Sequence, residues 1–162
     1  MTRPISDKDR AIWERLVQSH MAWVSAQQQF LSEGVDRVSL LQAALEVGDT
    51  ATAFLVADLM STSEHQELFR QWLEWAATSH GYTHVAREII KSLPRDWVLA
   101  RIEAESASIL RNGTYDEYRR LLELYADLDV GLTAKLARKA LEHADEEIRE
   151  AGEDFLSKPD PA

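Results

Sequence analysis

The 162 residues are enough for one domain, and an apolar fraction of 45% can bury a real core, which argues against global disorder. The absence of cysteine excludes disulfides, thiolate zinc sites and cysteine nucleophiles together, and fits a reducing compartment. A net charge of −10, from 28 acidic and 18 basic residues, repels nucleic-acid phosphates and suits a basic partner.

The first ten residues, MTRPISDKDR, lead into no apolar run of a signal peptide, and no stretch approaches the roughly 18 apolar residues of a membrane span. A cytoplasmic protein with no membrane association is therefore expected. Apolar residues then recur at three- and four-residue spacing along most of the chain. Ile12, Leu16, Met21 (or His20), Trp23, Val24, Phe30 and Leu31 mark a long first helix, capped by Ser6 with Asp9 three residues on and ended by Gly34. Val38, Leu41 and Leu45 mark a second, ended near Gly48. Phe54, Leu55 and Leu59 mark a third, capped by Asp49 or Thr50. Leu68, Trp72, Trp75 and Ala76 mark a fourth, capped near Ser63 and stopped at His80-Gly81. Val85, Ile89 and Leu93 mark a fifth, closed by Pro94. Trp97, Ala100, Ile102 and Leu110 mark a sixth, closed by Asn112-Gly113. Tyr118, Leu121, Leu122 and Tyr125 mark a seventh, Leu132, Leu136, Ala140 and Leu141 an eighth, and residues 142–156 a ninth. No run alternates with period two, so the chain is predicted all-α.

These helices repeat. Asp49, Asp96 and Asp145 each follow one helical pattern and open another, and they fall 47 and then 49 residues apart. Phe69, Trp72, Leu73, Trp75 and Ala77 match Tyr118, Leu121, Leu122, Leu124 and Ala126 at an offset of 49, and Trp23 precedes Trp72 by the same step. The expectation is a single helical-repeat domain over 1–158. It would hold three repeats of about 48 residues (8–62, 63–112 and 113–158) with a frayed tail at 159–162.

The segment LARKALEHADEEIREAGEDFL, 136–156, resembles the junction of two helices in HEAT-type repeats, with Asp145 at the turn followed by Ile148, Arg149 and Ala151. The three-helix repeat is closer to armadillo. The resemblance implies a short right-handed α-solenoid and carries no catalytic residue. Seven of the fifteen residues in 142–156 are acidic. Ala144, Ile148, Ala151, Gly152, Phe155 and Leu156 nevertheless form an apolar stripe, so the carboxylates read as the solvated side of a packed helix and a polar terminal cap. Asp145–Arg149 and Arg149–Glu153 are spaced to pair. The spacing and glycine of a calcium loop are missing.

Little catalytic chemistry is suggested. His80 and His84 have a metal-like spacing, but Gly81 interrupts it and the pair straddles a helix junction, so no metal and no cofactor are expected. The Glu-His order at Glu64-His65 and Glu142-His143 is the reverse of the dyads in iron-binding HEAT hydroxylases. No nucleophile elbow, phosphate loop or dinucleotide fingerprint occurs. The basic residues of 81–112 nearly balance the acidic ones and form no patch for nucleic acid.

The function expected is a non-enzymatic protein-interaction module of adaptor, regulatory or inhibitor/immunity type. It would bind a basic partner through an acidic groove, using Asp58, Glu64, Glu67 and Glu74 with Trp75 and Trp97 as aromatic anchors. Trp13 and Trp23 read as packing residues. The alternative is a small-molecule or cofactor-handling enzyme with its site in the groove. An exposed Ile12/Leu16/Trp23 flank would instead indicate a homodimer or a domain of a larger repeat array.

Overall fold

Eleven helices account for the regular structure of the computed structural model, which describes residues 5–157, and no strand occurs among them. They are α1 (Asp7–Phe30), α2 (Arg37–Val47), α3 (Thr50–Ala57), α4 (Thr62–Glu67), α5 (Phe69–Ala76), α6 (Thr83–Ser92), α7 (Arg95–Leu99), α8 (Ile102–Arg111), α9 (Tyr115–Leu128), α10 (Val130–Leu141) and α11 (Glu146–Ser157). Two expected helices are each divided. The fourth breaks at Leu68, whose backbone (φ −90°, ψ 9°) separates α4 from α5. The sixth breaks at Arg101, whose N–H donates to Val98 three residues back and whose φ of −121° leaves the helical region. At Arg101 the three-residue bond tightens the last turn, whereas the Leu68 N–H keeps the four-residue bond to the Glu64 carbonyl at 3.1 Å. The tail at 159–162 lies outside the described residues.

Local chemistry sets the helix ends. The Asp9 N–H donates to Ser6 Oγ at 3.2 Å, as the spacing predicts. The start of α4 is capped by Ser61 rather than Ser63: Glu64 accepts from the Ser61 N–H at 2.7 Å in a capping box, and Thr114 with Glu117 repeats the device at α9. Gly48 ends α2 with φ +92°, a conformation that penalises any side chain.

The chain divides into two units, Met1–Met60 and Ser61–Ala162. In the first, Leu41 and Leu45 of α2 and Ala53, Phe54, Val56 and Ala57 of α3 are buried. No residue of the 24-residue α1 is buried. The second unit has a continuous core. Trp72 and Leu73 of α5, Ile90 of α6, Val98 of α7, Ile102 of α8 and Leu121, Leu122 and Leu124 of α9 are fully enclosed, as are Ala137 and Ala140 of α10 and Ile148 and Ala151 of α11. Each large aliphatic or aromatic side chain so enclosed contributes about 1.5–3 kcal/mol.

Helix pairs recur through this unit, α5 with α6, α9 with α10 and α10 with α11. Phe69, Trp72 and Leu73 on α5 and Tyr118, Leu121 and Leu122 on α9, 49 residues on, are all core, but Trp75 is half-buried where Leu124 is enclosed. Trp23, one step earlier, is only half-buried. The three repeat aspartates also differ. Asp49 precedes α3 with no side-chain cap bond, Asp96 lies inside the first turn of α7, and Asp145 accepts from the Glu147 N–H at 2.9 Å.

On α11 the inward stripe is Ile148, Ala151, Gly152 and Phe155. Ala144 precedes the helix and Leu156 is turned about 80° from Ile148, and both are exposed. A β-carbon on Gly152 would stand 2.7 Å from the Ala137 carbonyl oxygen, so glycine lets α11 approach the backbone of α10. Arg149 does not pair with Asp145 or Glu153. Its Nη1 donates to the carbonyls of His143 (3.0 Å) and Ala144 (2.7 Å), tying down the turn after α10.

Candidate interaction surface

The acidic residues singled out in the sequence are placed differently from one another. Asp58, in the first unit, follows α3 and is exposed with no ion pair. In the second unit, Glu64 is held by its capping box, which fixes its carboxylate against Ser61. Glu67 closes α4 and is exposed with no ion pair. Glu74 is exposed on α5 and accepts from Arg70 Nε at 3.2 Å, one helical turn away. Residues 67, 70 and 74 therefore line the solvent side of the α4–α5 stretch, and only Glu67 among its carboxylates is uncommitted.

Both tryptophans are half-buried with one ring face engaged. Trp75 meets the His80 ring edge-on at 4.5 Å and Tyr82 at 6.4 Å. Trp97 meets Phe69 at 5.1 Å, and the Arg101 guanidinium lies 4.5 Å above its ring. Aromatic and cation–π contacts of this kind lock the rings, so each offers a rigid partial surface.

The loop between α5 and α6 is organised by side chains that sequence reasoning passed over. Thr83 Oγ1 accepts from the His80 N–H at 3.1 Å and lies within hydrogen-bonding distance of the Thr78 and His80 carbonyls. The Tyr82 N–H donates to His80 Nδ1 at 3.1 Å, which places the ring proton on Nε2. Burial pushes the His80 pKa below the ordinary histidine value, so the ring is neutral at pH 7. His84 is exposed, 3.9 Å from Glu88. No group of three or more metal-ligating side chains occurs among the described residues.

A cleft of about 320 Å³ opens beside this loop, lined by Ser79, His80, Thr83, His84, Arg87 and Arg120. Its two arginines are each ion-paired, although the buried Arg87 Nε and His80 Nε2 have no hydrogen-bond partner among the described residues. Arg87, with 15% of its side chain exposed, donates from Nη2 to Glu123 and to the Arg120 carbonyl, both at 2.8 Å. Arg120 donates to Glu123 at 2.9 Å and to Ser79 Oγ at 2.8 Å. Asp116 accepts from the Ser79 N–H at 2.8 Å and its hydroxyl at 2.6 Å. Burial alone would raise Glu123, but hydrogen bonds from Arg87 and Arg120 outweigh it and hold the carboxyl below the usual range.

The pattern extends along two helices. Arg87, Lys91 and Arg95 meet Glu123, Asp127 and Asp129 in turn, a basic row on and after α6 facing an acidic row on and after α9. Arg119 of α9 reaches Asp154 of α11 at 2.6 Å, and Lys135 of α10 reaches Glu103 of α8 at 2.7 Å. The matching four-residue steps of Arg87/Lys91 and Glu123/Asp127 were the available signal, though spacing alone does not say which rows face each other. By contrast Glu146, Glu150 and Glu153, on the outer side of α11, make no ion pair and are exposed. No helix among the described residues is long and apolar enough to cross a membrane. No family model, curated protein or solved structure matches the chain.

Proposed function

We propose that the chain is a HEAT-related helical-repeat protein acting in the cytoplasm as a non-enzymatic interaction module, with a basic protein as its partner. The observation that carries this reading is the asymmetry of charge commitment in the second unit. Arg87, Lys91, Arg95, Arg119, Lys135 and Arg149 are held by carboxylates or carbonyls of neighbouring elements, and Arg111, Arg138 and Lys139 are exposed without an ion pair among the described residues, whereas Glu67, Glu146, Glu150 and Glu153 face solvent unpaired. The outward field is acidic even where the local composition is balanced, which steers a basic partner in and repels nucleic acid. Trp75 and Trp97, rigid and half-exposed, supply the apolar anchors that charge alone lacks.

Affinity capture at low and high salt tests the reading. The expected result is a basic partner that is lost at high salt and lost again with Glu67→Lys/Trp75→Ala. A partner retained by that variant, or one that is acidic, contradicts the proposed surface.

The alternative is a small-molecule enzyme, and the observation on its side is the cleft lined by Ser79, His80, His84, Arg87 and Arg120. Against it, Arg87 and Arg120 are already paired with Glu123, which leaves His80 Nε2 and Arg87 Nε as the buried polar atoms of the lining without a partner among the described residues. An increase in melting temperature with millimolar phosphate or carboxylate, abolished by Arg120→Ala, would favour this alternative.

A further inference from the structure

Helix α1 stands apart from every other long helix in the chain. Ile12, Trp13, Leu16, Val17 and Met21 are all exposed, Trp13 and Met21 by 63% each. At 100° per residue these five, with His20, occupy one half of the helix circumference, and Glu14 and Arg15 lie on the other half. Trp23 and Val24 continue the stripe and are half-buried. A helix this long carrying such a stripe draws its stability from whatever covers it, because isolated helices of mixed composition are marginal in water. A contiguous apolar patch rimmed by polar residues marks an association site.

We propose that the cover is a second copy of this chain, docked antiparallel on α1. Charge is the first argument. The chain carries −10, yet residues 7–15 hold three acids (Asp7, Asp9, Glu14) against three bases (Lys8, Arg10, Arg15), and residues 16–32 hold no charge at all. A basic partner, the kind that suits the rest of the surface, gains nothing here. An anionic bilayer needs a lysine- or arginine-rich flank that this helix lacks. A copy of α1 meets no repulsive row.

Symmetry is the second argument. A two-fold axis between Leu16 and Val17 sets Ile12 opposite Met21, Trp13 opposite His20 and Leu16 opposite Val17, so the patch is its own complement, as an isologous interface requires. The same axis sets Asp9, Arg10, Glu14 and Arg15 opposite Val24, Trp23, Ser19 and Gln18, so no like charges meet. The helix dipoles run in opposition. Size is the third argument. Trp13, with Ile12, Leu16, Val17, Met21 and the exposed parts of Trp23 and Val24, supplies an apolar area on the order of the several hundred Å² per partner that a specific interface buries. This proposal does not depend on the acidic surface of the second unit.

Sedimentation of the full chain across the micromolar range tests it. The expected mass rises with concentration from 18.4 kDa toward twice that value. Leu16→Glu and Val17→Glu weaken association by at least about 100-fold, while Gln29→Glu, off the stripe, leaves it unchanged. Because the chain has no cysteine, an Ile12→Cys chain mixed with a Met21→Cys chain reports the orientation. A mixed disulfide supports the antiparallel arrangement, and self-linked dimers of either variant alone overturn it. A monomer at every concentration, association indifferent to both glutamates, or binding to anionic vesicles without self-association overturns the proposal.

Discussion

The two units use their apolar residues in opposite ways. In Ser61–Ala162 the exposed large apolar side chains are Tyr115, Val130 and Leu156, whereas α1 of the first unit alone exposes Ile12, Trp13, Leu16, Val17 and Met21. The tryptophans show the contrast most sharply, since Trp72 is fully enclosed and Trp13 is not. Their charges differ in the same sense. The second unit joins α6 to α9 and α9 to α11 with ion pairs across thirty-odd residues, while α1 carries balanced charge at one end and none at the other. Similar helical periodicity thus encodes a closed core in one region and an open face in the other. What separates them is whether another helix of the same unit answers the stripe.

The largest expected effect pits those two tryptophans against each other. Trp72→Ala should lower unfolding free energy by about 3–5 kcal/mol, while Trp13→Ala should change it by less than about 0.5 kcal/mol in dilute solution. Denaturant melts of the two variants measure this, and equal losses would erase the distinction between the units.

Alkaline pH should act on the second unit through its tyrosines, since all four lie there. Burial pushes Tyr125 up to about 12, partly offset by its 2.8 Å hydrogen bond with Ser106. Its folded pKa exceeds the unfolded value near 10, so its stabilisation is complete below pH 10 and disappears as pH rises toward 12. The loss is on the order of 2 kcal/mol. Tyr125→Phe should flatten that pH dependence in melts between pH 9 and pH 12.

Gly152→Ala should destabilise by about 1–3 kcal/mol, although alanine in a helix interior normally improves on glycine by about 1 kcal/mol. A neutral or stabilising result would mean that α10 and α11 are not as close as 2.7 Å implies. The smallest effect expected is that of Asp145→Ala, which removes the bond to the Glu147 N–H and should cost about 1 kcal/mol.

The all-helical class, the cap at Ser6 and the stop at Gly48 were legible because each rests on local rules: periodicity, a side-chain oxygen three residues ahead, a residue free to take positive φ. So was the inward stripe of α11, apart from its ends. The breaks at Leu68 and Arg101 were not, since neither position holds a glycine or proline and the interruption lies in the backbone. The site was legible only as residue types. Sequence marked Glu64 as a docking carboxylate, but its neighbour Ser61 holds it as a cap. It read Arg149 as an ion-pairing residue, but unsatisfied carbonyls at the end of α10 compete better for its guanidinium. The network joining Ser79, Asp116, Arg120, Glu123 and Arg87 spans up to 44 residues of sequence, and one-dimensional spacing carries no signal for it.

Segment-resolved amide hydrogen exchange at two protein concentrations tests the contrast between the units most directly. The expected result is slow exchange in α5, α9 and α10 at both concentrations, with α1 exchanging rapidly when dilute and becoming protected as copies associate. Protection of α1 equal to that of α9 at high dilution, or exchange in α1 that ignores concentration, would contradict the account.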